Sequence, residues 1–331
     1  MRVGTKALAV SLIGFAAFML HPRAFAETTL RLISGWAANN PNVPLIEAVF
    51  IRNVAEASKG ELRIIQRSGP EVVPPFEQLQ PVSAGVFDIL FTTPGYHQAQ
   101  TGVAGLFDAF KGDPDRRRES GLFAWADEYY LKRFGMRILA LHPAPGNHFV
   151  LREPLGADGT LKGRKIRSNP IFDGVIRALG GTPVSMSPAD AFSSMQKGVI
   201  DGIAFPAFAS ADYKLYEVAK YMTRPTFGLT NILFTVNAKK FQSLPVNLQK
   251  VLLDEGRRIE TLGTKALADY DRTAGETMAK NGVAVSNFDA RSAASLPRFY
   301  NEGIFNTASK SSPDEVKTLW ELARSKNMLN E

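Results

Sequence analysis

Cysteine is missing from all 331 residues, which excludes disulfides, thiol nucleophiles and thiolate metal sites together. A chain of this length does not need disulfides, because its core buries enough apolar surface unaided. Histidine is scarce: His21, His97, His142 and His148 are the whole set, and their spacing suits no metal. Neither a metal nor a cofactor is expected. There is no G-x-S-x-G, and the histidines lack recognisable nucleophile partners, so a hydrolase is a poor reading. Also absent is a basic stripe interleaved with aromatics, so no nucleic-acid partner is expected despite a formal charge of +7. The one tight basic run, Arg116-Arg117-Arg118, follows a Gly-Asp-Pro-Asp loop and reads as a solvated helix start.

Long apolar runs are missing too, except at the N-terminus. Arg2 and Lys6 precede an apolar stretch from Ala7 to Leu20, too short for a bilayer span and of the length of a secretory signal. Ala24-Phe25-Ala26 supplies a small-residue cleavage site. Residues 1–26 are therefore expected to be a signal peptide, with a mature chain starting at Glu27 and a periplasmic address. Removing Arg2, Lys6 and Arg23 lowers the formal charge from +7 to +4.

What is present is alternation. Thr29–Ser34, Leu62–Gln66 and Gly85–Leu90 read as strands, with helical patterns at Leu45–Ser58 and Phe76–Ala84 between them. A similar series runs through Phe149–Leu151, Lys165–Arg167, Pro183–Ser185 and Gly202–Phe205. The class is therefore α/β with a largely parallel sheet. From Pro245 to about Lys280 an apolar stripe at helical spacing predicts either one helix of about 50 Å or two helices broken at Gly256 or Gly263.

The most informative stretch is Leu161 to Pro206. A basic strand carrying Arg167 leads into a helix, a Gly-Gly-Thr-Pro turn, a second strand and a second helix, and the stretch ends at Gly198-Val199-Ile200-Asp201-Gly202. One permanently charged guanidinium thus sits at a strand end, where units of this kind bind small ligands.

Leu161–Arg167 (LKGRKIR) resembles the LKGxKIR element of the extracytoplasmic solute-binding proteins of TRAP transporters, the DctP family. Leu179–Val184 (LGGTPV) is similar to the family's LGATPV turn, and Gln196–Gly202 to its LQxGxVDG helix end. Tyr221–Thr223 and Phe241–Pro245 resemble its later KYVT and FxxLP elements. The resemblance covers the whole mature chain. It implies an α/β, two-lobed periplasmic solute-binding protein fold, with crossing strands and a long helix spanning both lobes. Lobe I is expected over 27–147 and 236–280, and lobe II over 148–235 and 281–331, with the ligand cleft between them. The implied partners are a small-molecule carboxylate and the membrane permease subunits of a TRAP transporter, and the protein itself is expected to be a monomer.

Family arginines matching Arg167 form a bidentate salt bridge to the ligand carboxylate, a role that suits a planar guanidinium in a dry cleft. Departures from the family point to the kind of acid. His148 stands where many members have a second basic residue, either neutral with one donor or charged and sharing the carboxylate. Phe205 replaces an Asn that would hydrogen-bond the ligand, and Phe208 lies nearby. Trp36, Phe76, Tyr96 and Phe227 lie on loops or helix starts expected to face the cleft, and Asn39, Asn169 and Glu71 are candidate polar contacts. An arginine among aromatics suits an aromatic or apolar monocarboxylate. The alternatives are a sugar acid, a keto acid or a C4-dicarboxylate, or a periplasmic sensor with the same fold.

Overall fold

The computed structural model describes residues 27–330; the expected signal peptide lies outside the described residues. Two sheets organise the chain. The first contains β1 (Thr28–Ser34), β2 (Leu62–Ser68), β3 (Ile89–Thr92), β4 (Met136–Ala144) and β10 (Thr230–Asn237), in the order β2-β1-β3-β10-β4. The second contains β5 (His148–Leu151), β6 (Lys165–Ser168), β7 (Thr182–Ser185), β8 (Gly202–Phe205), β9 (Tyr221–Arg224) and β11 (Ala284–Asn287), in the order β11-β9-β5-β8-β6-β7. This is the two-lobed α/β architecture that the sequence led us to expect.

The sheets are mixed rather than largely parallel. β10 runs antiparallel to both β3 and β4, and β5 antiparallel to both β8 and β9. These reversed strands belong to the two segments that cross between lobes, β4 into β5 and β9 into β10. The segments meet where Asn147 and Phe227 exchange backbone hydrogen bonds of 2.9 and 3.0 Å. A strand that returns across a junction must enter its sheet against the direction set by the βαβ units.

The lobe boundaries need correction for the same reason. Residues 230–235, expected in lobe II, belong to β10, which pairs with β3 and β4 of the first sheet. Seven of the eight β10 residues are buried, as in a central strand covered on both faces. The C-terminal segment does not stay in lobe II either. Helix Ala290–Ala308 packs against both Asp173–Ala178 and Ala104–Ala109, and helix Pro313–Ser325 packs on Leu122–Phe134 of the first lobe. Phe110 and Leu329 then form a bridge.

The helix from Val246 to Lys280 is continuous over 35 residues. It packs on β4 and on helix Ala207–Asp212, and so touches both lobes. Gly256 and Gly263 do not break it. A Cβ at Gly256 would lie 2.3 Å from the Leu139 carbonyl oxygen, and one at Gly263 would lie 2.7 Å from the His142 ring. The glycines allow the helix to lie close on β4, which compensates their weak helix propensity.

The arginine triplet is not a solvated helix start throughout. Asp113 caps the helix Pro114–Glu119, as a helix start requires. Arg117, however, is buried and donates to the carbonyls of Phe107, Phe110 and Lys111 and to Asn231 Oδ1. Arg118 pairs with buried Glu260 at 2.6 Å. The loop before the helix turns the triplet inward, where these groups fasten it to β10 and to the long helix.

Candidate functional site

Arg167 is the third residue of β6, beside Val184 of β7 and Ile203 of β8. The residue is 1% exposed. Nε donates to the Met186 carbonyl at 3.0 Å, while Nη2 is buried without any hydrogen-bond partner among the described residues. Burial lowers its pKa from the usual value, opposed by Tyr96, Tyr213 and, more weakly, Asp190. A buried arginine remains charged, so the fold holds a cation here with donor capacity unused.

Arg167 opens into a cavity between the lobes. Trp36, Asn40, Asn42, Thr93 and Tyr96 line it from the first lobe. Asn169, Phe172, Phe205, Pro206, Phe208 and Ala209 join Arg167 from the second, and the crossing segments add Ala144, Asn147, Thr230 and Ile232. The cavity encloses about 470 Å³ of empty space, its mouth included. Five of the sixteen lining residues are aromatic. The Arg167 guanidinium lies 5.4 Å from the Phe205 ring centroid, close enough for a cation–π contact. Trp36 is held edge-on to Phe91 at 4.8 Å. The Tyr96 phenol is buried and pushed up to about 12, with the Arg167 charge pulling it back.

Of the residues singled out from sequence, Arg167, Trp36, Tyr96, Asn169, Phe205 and Phe208 come together in this cavity. The others do not. Asn39 is exposed, and its neighbour Asn40 turns inward instead. Asn40 Oδ1 accepts from the Asn42 N–H at 3.0 Å, which holds the Asn40 side chain against the turn. Glu71 is exposed and closes its own loop by accepting from Gly69 N–H at 2.8 Å. Phe76 stands behind Tyr96, edge-on at 5.1 Å. Phe227 stacks on Phe149 at 4.6 Å, in the core beside the crossing.

His148 requires the clearest correction. It does not line the cavity, although β5 pairs it with Phe205. Its Nδ1 lies 2.9 Å from the Thr223 carbonyl and 2.6 Å from Arg224 Nη1, which also stands 3.3 Å from Nε2. Burial, with the Arg224 charge beside it, pushes its pKa down to about 4, so the ring is neutral at neutral pH. Burial likewise holds His97 and His142 at about 4.

Sequence reading missed several members of this region. Asn42 and Thr93 line the cavity with buried, unpartnered oxygens. Phe172 follows Arg167 by five residues on the way to the next helix. Tyr213 lies outside the lining but beside it, its ring 5.9 Å from Phe205 and its phenol raised in pKa by burial. Each sits in a short loop, where the pattern carries little information about side-chain direction.

Residues 34–301 match the family described as bacterial extracellular solute-binding protein, family 7, also called DctP. The chain belongs to this family. Its members are solute-binding receptors, so the hydrolase reading falls. A solute-binding protein of Sulfitobacter sp. strain NAS-14.1 is 26% identical over 175 residues, 52% of this chain and 53% of that protein, so the match spans about half of its length. Two solved TRAP solute-binding proteins share the fold. One, from a marine metagenome, is specific for aromatic acids and holds metahydroxyphenylacetate; its TM-score is 0.77 at 22% identity, covering 91% of this chain and 98% of that one. The other, from Roseobacter denitrificans, holds β-D-glucuronate; its TM-score is 0.76 at 18% identity, covering 89% and 98%. Among the described residues of this family 7 chain, no group of side chains could hold a metal, and no helix is long and apolar enough to cross a membrane.

Proposed function

We propose that this family 7 protein is the exported receptor of a TRAP transporter. It captures a small organic acid with an aromatic or apolar body between its lobes and delivers it to the membrane permease. The observation that carries this reading is the buried Nη2 of Arg167, a charged donor without a partner. A carboxylate is the group that best completes it, since its two oxygens match the guanidinium fork. The rings of Trp36, Tyr96, Phe172, Phe205 and Phe208 around the same space favour an apolar or aromatic body over a polyhydroxylated one. Export is supported by the signal-like residues 1–26.

Thermal unfolding of the mature protein against a panel of carboxylates tests the proposal. A ligand at about 100 times its dissociation constant stabilises by about 2.7 kcal/mol, so aromatic monocarboxylates are expected to raise the midpoint. Shifts confined to dicarboxylates or sugar acids would contradict the aromatic reading. No shift with any acid would contradict the receptor reading itself.

A further inference from the structure

Helix Ala207–Asp212 supplies Phe208 and Ala209 to the cavity, directly after Phe205 and Pro206. It is six residues long, too short to hold its shape without tertiary support. Its first turn also lacks a local cap. Pro206 precedes it and has no side-chain acceptor, so the N–H groups at its start need a partner from elsewhere in the chain.

That partner is Asp271 of the long helix. Asp271 Oδ1 accepts from Phe208 N–H at 2.9 Å, with Ala207 N–H beside it. One residue earlier, the Tyr270 hydroxyl donates to Asp212 Oδ1 at 2.7 Å, at the other end of the short helix. Neither Tyr270 nor Asp271 lines the cavity. Gly263, where the long helix is pressed against β4, lies about 12 Å back along the helix axis from Asp271. Contacts thus run from the first sheet, through the long helix, to the aromatic wall of the cavity. Phe208 and Ala209 also pack in one apolar cluster with Trp36 and Phe91 of the first lobe.

We infer that Asp271 and Tyr270 are positioning residues of this receptor. They touch no ligand, but by holding the short helix at both ends they fix where the Phe208 ring stands in the cavity wall, and so how closely that wall fits a ligand. This inference rests on the acid-receptor reading above and adds residues that set its affinity from outside the cavity.

The test is calorimetric titration with benzoate and phenylacetate of Asp271→Ala, Asp271→Asn, Tyr270→Phe, Phe208→Leu and the double variant Asp271→Ala/Phe208→Leu. For the tighter probe, Asp271→Ala is expected to weaken binding about tenfold, the scale of a lost hydrogen bond to a charged group. Asp271→Asn keeps an oxygen acceptor and should stay within about threefold of the native protein. Tyr270→Phe should weaken binding about threefold. General damage to the fold would lower affinity in any background. An effect passed through the Phe208 ring should instead shrink below about twofold once leucine replaces that ring. Unliganded unfolding midpoints are recorded for every variant. Native affinity in both Asp271→Ala and Tyr270→Phe overturns the inference alone, as does a loss at Asp271 that persists in full beside Phe208→Leu or is not rescued by Asp271→Asn. If Asp271→Ala does not fold, native affinity in Tyr270→Phe is sufficient to overturn it. Absence of binding by both probes to the native protein overturns it together with the aromatic-acid reading.

Discussion

Arg117 and Arg167 are each about 1% exposed, yet their surroundings differ in kind. Arg117 donates to three backbone carbonyls and to Asn231 Oδ1, and Asn231 in turn donates to Asp108. Asp108 and Glu260 add opposing charge nearby, so that burial brings Arg117 only down to about 10. Arg167 has one carbonyl, from Met186, the Tyr96 phenol close by, and a buried nitrogen without a well-formed hydrogen bond. Depth therefore does not mark the site. The first arginine completes a network inside the protein, while the second leaves one open toward a cavity, and only an open network asks for a ligand.

This contrast predicts opposite responses to the same substitution. Arg117→Met strips Asn231 and three backbone carbonyls of their donor and is expected to lower stability by about 3–5 kcal/mol, read as the denaturation midpoint without ligand. Arg167→Met removes a buried charge that has no salt-bridge partner, only the weaker influence of Asp190. It should leave unliganded stability within about 1 kcal/mol of the native value, or raise it. Equal losses in the two variants would erase the distinction.

Phe205→Leu sharpens the comparison from the ligand side. It removes the ring beside the Arg167 guanidinium and is expected to weaken aromatic acids by about 1 kcal/mol, measured by calorimetry. An aliphatic acid of similar size should be affected less. The smallest effect at neutral pH concerns His148. Its folded pKa of about 4 lies below the about 6.5 of the free side chain, so the unfolded chain takes up a proton that the folded one refuses. His148 therefore lowers stability as pH falls from about 6.5 toward 4, and has no such effect above that window. In NMR titration its ring signals should stay unchanged from pH 8 to about 5, with and without ligand. A midpoint near 6.5 would return His148 to the list of charged candidates.

Much of this was legible in the sequence, and the exceptions have physical causes. The strand of Arg167 is defined by local pattern and falls where the pattern places it, whereas the helix before Asp201-Gly202 already ends at Gln196 and Gly202 opens the next strand. The long helix was legible as a stripe, but its continuity was not. Gly256 and Gly263 look like breaks until β4 is seen pressed against them. Loops were the weak point. Asn39 and Asn40 are chemically identical neighbours, and the turn alone decides which faces inward. Glu71 and Phe76 flank the right loop but are turned away or screened by Tyr96. Arg117 sits in a run of charge that looks solvated, and its burial depends on Asn231, more than 100 residues later in the chain. Such long-range pairings are not contained in any short window.

The central claim is that Arg167 holds the ligand's acid group. Calorimetric titration of native protein and Arg167→Met with the tightest acid from the thermal screen tests it most directly. The account predicts a loss of at least about 100-fold in affinity, the scale of removing one partner from a buried charge pair, in a variant that unfolds no earlier than the native protein. Binding retained within about threefold would contradict it.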